Sequence, residues 1–313
     1  LGNLSIINYI FMRKSVLLSL FGVFFVLSVF GQNKIEFKEF TLDNGLHVIL
    51  HQDNTTPIVA TSVLYHVGSK NENPERTGFA HFFEHLMFEG SENIGRGEFM
   101  TTIQGRGGTL NAYTSNDITY YYELLPSNEL ELALYMESER MLHSKVDITG
   151  VETQREVVKE EKRQRIDNQP YGSILTETLA RAYTVHPYRW APIGSLEHLN
   201  AATIEEFQQF YKDFYVPNNA TLTIAGDIDY AKTEELVRKY FAEIPKGAKE
   251  IYRPNVTEPK KTAEVRDIVY DNIQIPAVIQ AYNVPPRNHP DSYAMSMLST
   301  YLTGGNSSLM TKE

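Results

Sequence analysis

Thr77-Gly78-Phe79-Ala80-His81-Phe82-Phe83-Glu84-His85-Leu86-Met87-Phe88-Glu89 is the stretch on which the reading of this chain turns. Its pattern predicts a helix over 77–89 carrying an H-x-x-E-H motif. Residues four apart on an α-helix lie one turn apart on one face, so His81 and His85 present two imidazoles to one point. A tetrahedral zinc ion asks that of two of its ligands. Glu84, three residues after His81, sets a carboxylate beside such an ion, where it can take a proton from water whose pKa zinc lowers to about 7. Two histidines can also fall at this spacing by chance, and the motif alone is a moderate signal.

The elements around this helix are legible in outline. Residues 37–42 and 46–51 read as strands joined by Asp43-Asn44-Gly45, a hairpin signal, and 58–67 reads as a third strand. Gly105, Gly107 and Gly108 break the chain before two further strands, 109–114 and 118–125. An amphipathic helix is predicted from Ser127 to about Leu142, and another from a capping box at Thr149-Gly150-Val151-Glu152 through Arg165. Helices over 173–183, 203–215 and 231–241 and a strand over 220–225 complete this part. Hairpins mixed with helices favour α+β, a mixed, mostly antiparallel sheet packed with helices, over a doubly wound parallel sheet.

A third ligand has to come from elsewhere, because catalytic zinc takes three protein ligands and keeps one position open. The chain has no cysteine, which excludes thiolate sites, disulfides and cysteine nucleophiles. The helix after Thr149 offers Glu152, Glu156, Glu160 and Glu161, and most of its charges read as a solvated face. The residues themselves leave the choice among the four open.

Several segments taken together resemble the pitrilysin/insulysin metallopeptidases, inverzincins, and within them the branch of mitochondrial processing peptidase and its bacterial relatives. The likeness runs from about Lys38 onward. It rests on the motif, on Arg155-Glu156-Val157-Val158 ahead of Glu161, on Gly107-Gly108-Thr109-Leu110-Asn111-Ala112-Tyr113-Thr114, on 186–194 and on 215–226. The resemblance implies that His81, His85 and Glu161 hold Zn2+ and that Glu84 is the general base toward a zinc-bound water. It also implies that Asn111, Ala112 and Thr114 lie on an edge strand to which an extended peptide substrate adds. Gln154 stands where many relatives carry an acidic residue, two turns before Glu161, so it adds no negative charge behind the ligand. The expected activity is a zinc metalloendopeptidase. The alternatives are a non-catalytic peptide-binding subunit of a heteromeric peptidase and a structural zinc protein; a homo- or hetero-dimer with a related subunit fits the family.

The remaining features set limits. Lys plus Arg total 29 against 39 Asp plus Glu, a net charge of -10, which argues against general affinity for nucleic acid or anionic membranes. With 42% apolar and 12% aromatic residues the chain can bury a core. Met12-Arg13-Lys14, the apolar run 16–30 and small residues at Ser28 and Gly31 have the layout of a cleavable signal peptide, with Met12 the better initiator. The run is shorter than the ~20 residues a spanning helix needs, so export with cleavage after Gly31 is expected, to the periplasm or beyond. The domain reading is 1–31 extension and signal, 32–250 catalytic domain, 251–261 linker and 262–313 the start of a second, non-catalytic related domain. Residues 276–284 repeat the apolar pattern of 57–65, a helix is expected over 291–302, and Gly304-Gly305-Asn306-Ser307-Ser308-Leu309 resembles a motif early in the family's second domain. The second domain reads as truncated at Glu313.

Overall fold

The computed structural model describes residues 34–312. The chain divides into two units, 1–38 and 39–313, and of the first only 34–38, an exposed stretch, are described. The apolar run 16–30 and the expected cleavage site after Gly31 lie outside the described residues.

A six-stranded sheet forms the frame, in the order β1 (Lys38–Thr41), β2 (His47–Gln52), β6 (Ala220–Gly226), β3 (Ile58–Tyr65), β5 (Thr119–Pro126), β4 (Thr109–Thr114). β2 and β6 run parallel; β6 with β3, β3 with β5, and β5 with β4 run antiparallel. The mixed, mostly antiparallel sheet expected from the hairpins is therefore present. Strand alternation gives the sheet one dry face: Val48, Leu50, Val63, Tyr65, Tyr121, Leu222 and Ile224 are fully buried. Gly45, with φ 90, closes the β1–β2 turn in the left-handed region where glycine has no steric penalty.

The helices are, in chain order, α1 (Phe79–Leu86), α2 (Glu98–Gly105), α3 (Leu130–His143), α4 (Ile148–Lys162), α5 (Ile174–Ala182), α6 (Leu196–Ala201), α7 (Ile204–Phe214) and α8 (Tyr230–Phe241), with α9 (Ser292–Thr303) and α10 (Leu309–Lys312) further on. α3 packs on β3, β5 and α8, while α1 packs on β4, β5, α4 and α7. Under α3 lies a buried charged group, Arg140 with Glu137 at 3.1 Å, and Glu123 beside them. The Arg140 guanidinium stands over the rings of Tyr121, Phe88 and Phe99 at 4.6, 4.7 and 4.8 Å. Burial, then the neighbouring Glu137, pushes the Glu123 carboxyl far up.

Three local readings need correction. α2 and α6 were not expected; each is short, and α2 starts from Gly97 without a side-chain cap. α4 begins earlier than the capping box at Thr149 implied, because Asp147 is its cap and accepts the Gly150 N–H at 2.7 Å. Residues 276–284, whose apolar pattern repeats that of the strand region 57–65, form no strand, and Val278 and Tyr282 are 89% and 76% exposed. α9 does form where a helix was expected.

Candidate metal centre

α1 is amphipathic in the sense its sequence requires. Phe79, Phe82, Phe83 and Leu86 are buried, and His81, Glu84 and His85 occupy the opposite face. Phe207 of α7 stacks on Phe79 and Phe82 at 4.5 Å each, and Phe210 on Phe83 at 5.2 Å. This aromatic packing fixes the rotation of the helix, and with it the direction of both imidazoles.

The N-terminus of α1 is held by a residue the sequence reading passed over. Glu72 is buried, and its two carboxyl oxygens accept the N–H groups of Gly78 and Ala80, each at 2.9 Å. Burial pushes this carboxyl up to about 8, against the pull of those donors. Only a fold that turns 68–78 back on the helix start brings Glu72 there, so local sequence carried no sign of it.

α4 brings Glu161 to the histidines across the gap between the two helices. Glu161 Oε2 lies 3.1 Å from His85 Nε2 and 3.5 Å from His81 Nε2. Donors at Zn–N and Zn–O lengths of about 2.1 Å on a tetrahedral ion sit about 3.4 Å apart, so the three atoms match a zinc-sized cage. Among the described residues, this is the one group of His, Cys, Asp or Glu side chains suited to hold a metal, its ligand atoms all within 4.8 Å of one another. The fit has chemical support within the site. Glu161 Oε2 is buried without a hydrogen-bond partner, the state of a carboxylate oxygen kept for an ion. Burial, then the adjacent His85, pushes the His81 imidazole down to about 4, leaving it neutral with a lone pair to give. The His85 contact holds the Glu161 carboxyl low, in its charged form. Its other oxygen, Oε1, takes Arg165 Nη1 at 2.7 Å from the single π-helical turn Arg163–Asp167 that ends α4; sequence reading did not single out Arg165.

Glu160 turns away. It is exposed and pairs with Gln164 at 2.8 Å and Arg163 at 3.5 Å. Gln154 does not reach the ligands. Its amide donates to Glu89 just past α1, and Glu89 in turn pairs with Arg96 at 2.6 Å. Gln154 thus ties α4 to α1 through a carboxylate supplied by another segment.

Glu84 and β4 meet at the site. Burial raises the Glu84 carboxyl above its ordinary value, while the Thr114 hydroxyl, facing it without closing a full hydrogen bond, draws it back. β4 is the edge of the sheet beyond β5, so one side of its backbone has no strand beside it. Asn111 sits there with its side-chain oxygen accepting the Ala112 N–H at 2.9 Å.

Known proteins match this arrangement. The family described as "Insulinase (Peptidase family M16)" matches residues 47–189, and "Peptidase M16 inactive domain" matches 201–313. The chain is 35% identical over 276 residues to the zinc protease PqqE of Helicobacter pylori, covering 87% of this chain and 62% of that protein. It also resembles the crystal structure of a protease from Helicobacter pylori, with a TM-score of 0.83 and 32% identity over 90% of this chain and 68% of that one. The periplasmic protease PqqL from Escherichia coli is similar at a TM-score of 0.65 and 26% identity, over 73% of this chain and 26% of that one. The chain spans about three fifths of the length of the curated relatives it matches. Sequence, fold and the meeting of α1 with α4 agree: the chain belongs to peptidase family M16, the insulinase family.

Proposed function

We propose that this protein is a zinc-dependent endopeptidase that hydrolyses extended peptides or unfolded proteins outside the cytoplasm. The observation that carries the reading is the convergence of His81, His85 and Glu161 donor atoms within 4.8 Å, with Glu84 on the same helix as the histidines. Zinc, when bound, supplies a Lewis acid that acidifies water and polarises a carbonyl. His81, His85 and Glu161 hold it. The peptide lies along the open edge of β4 at Asn111, Ala112 and Thr114, its backbone pairing with the strand and displacing the Asn111 side chain from the Ala112 N–H. Glu84, on the same helix as the two histidines, takes the proton of the attacking water and passes it to the leaving amine.

Glu84→Gln separates the roles. It keeps the shape of the site and removes only the proton acceptor. In the full-length protein it retains stoichiometric zinc and loses about 10²–10⁴-fold or more in turnover of quenched peptides. His81→Ala and His85→Ala lose the zinc. Stoichiometric zinc in the histidine variants sinks the ligand assignment. A zinc-loaded wild type that binds peptides without cleaving them establishes instead the non-catalytic, peptide-binding subunit.

A further inference from the structure

Tyr121 sits on β5 with its side chain fully buried, and its hydroxyl donates to the Phe83 carbonyl at 3.1 Å. Phe83 precedes Glu84 in the last turn of α1, where its carbonyl also accepts the Met87 N–H at 3.0 Å. A carbonyl oxygen has two lone pairs and takes both donors, and the negative end of the helix favours them. The phenol ring is held from several sides. The Arg140 guanidinium lies 4.6 Å from its centre, the Tyr65 ring meets it edge-on at 5.9 Å, and Phe88 stands at 6.0 Å. Along the sheet, Tyr121 pairs with Ala112 of β4. One residue therefore joins the backbone beside Glu84 to the strand whose outer edge is open.

We propose that Tyr121 is a positioning residue for peptide hydrolysis: its hydroxyl fixes the spacing between Glu84 on α1 and the edge of β4 that receives the peptide. The inference rests on the peptidase reading above. Tyr121 touches neither peptide nor metal ligand, and its effect passes through the Phe83 carbonyl. Without the hydroxyl, α1 keeps its aromatic packing but loses its one link from β5 to the carbonyl before Glu84. A shift of this kind leaves peptide binding on β4 intact and misplaces the proton acceptor, which lowers kcat and spares KM.

The test compares Tyr121→Phe with Tyr65→Phe. Both remove one buried hydroxyl from the same core, and the Tyr65 hydroxyl has no hydrogen-bond partner. Zinc content, kcat and KM are measured on full-length protein with a quenched peptide. The expected result is a kcat lower by roughly five- to twentyfold in Tyr121→Phe alone, with KM and zinc content within about twofold of wild type. p-Aminophenylalanine at 121 restores an N–H donor and should recover kcat, which a loss of folding would not allow. Equal kcat in Tyr121→Phe and Tyr65→Phe, or no recovery with the amino analogue, overturns the inference while the peptidase reading stands. A zinc-loaded wild type that cleaves nothing overturns both.

Discussion

Glu160 and Glu161 are neighbours in sequence and opposites in space. Adjacent helical residues point about 100° apart, so only one of them can face the histidines. Glu161 does, at 3.1 and 3.5 Å from the two Nε2 atoms, while Glu160 lies in solvent with Gln164 and Arg163. Glu161→Ala is expected to lower zinc stoichiometry sharply after dialysis, and Glu160→Ala to leave it at the wild-type level; metal analysis giving the reverse order would refute the assignment. The histidine pair was legible because its geometry is local to one helix turn. Glu161 was not, since four glutamates on α4 satisfy the same local description and only family resemblance chose among them. Gln154 shows the limit further: its sequence position two turns before Glu161 does not name its partner, and its amide goes to Glu89.

Among the elements, the ends are where local reading went astray. The core-facing periods of α3, α7 and α8 mark those helices well, and α7 has the full box of Thr203 with Glu206. The same box pattern at Thr149 is unused because Asp147 caps α4 first. Another carboxylate acts across a long separation: Glu258, in the segment after α8, accepts Thr184 N–H and hydroxyl at 2.7 Å each, His186 N–H at 2.9 Å and Val185 N–H at 3.1 Å. Desolvation pushes Glu258 up, but these donors overcome it and leave its carboxyl at about 2. A folded pKa below the ordinary 4.5 means that the undocked segment binds the proton first. The contribution of Glu258 to docking is therefore fully present above pH 4.5 and is lost as pH falls through about 2. Hydrogen exchange at residues 184–186, corrected for intrinsic rates, should show protection fading over that window and already absent at neutral pH in Glu258→Gln. Protection unchanged in both cases would mean that Glu258 does not anchor the segment.

At the scale of the whole molecule, the layout of 1–31 carries the proposal of export. Mature protein recovered from outside the cytoplasm is expected to begin at Gln32 by N-terminal mass spectrometry. Recovery of intact 16–30 in a membrane fraction would replace cleavage by anchoring. The sheet itself carries the least predictable step of the fold. β6, some 150 residues after β3 in the chain, enters between β2 and β3 and runs parallel to β2. A strand's own alternation says which face is dry but not which strand lies beside it.

What the sequence determined by itself is what repeats over a few residues: the strands and long helices, the two imidazoles on one face, and the carboxylate beside them. Tertiary structure decided the rest. It brought Glu161 across to the histidines, set Thr114 against Glu84, left β4 at the open edge, and turned Glu72 and Tyr121 onto the two ends of α1. The physical reason is range. Helical and strand periods follow from backbone geometry within a turn or a pleat, whereas the contacts of Thr114, Tyr121 and Glu161 join residues 30 to 80 positions apart, and Glu72 reaches α1 over six and eight positions through a loop that follows neither period. They form only because burying the aromatic faces of α1, α7 and β5 together leaves the polar groups between them one place to go.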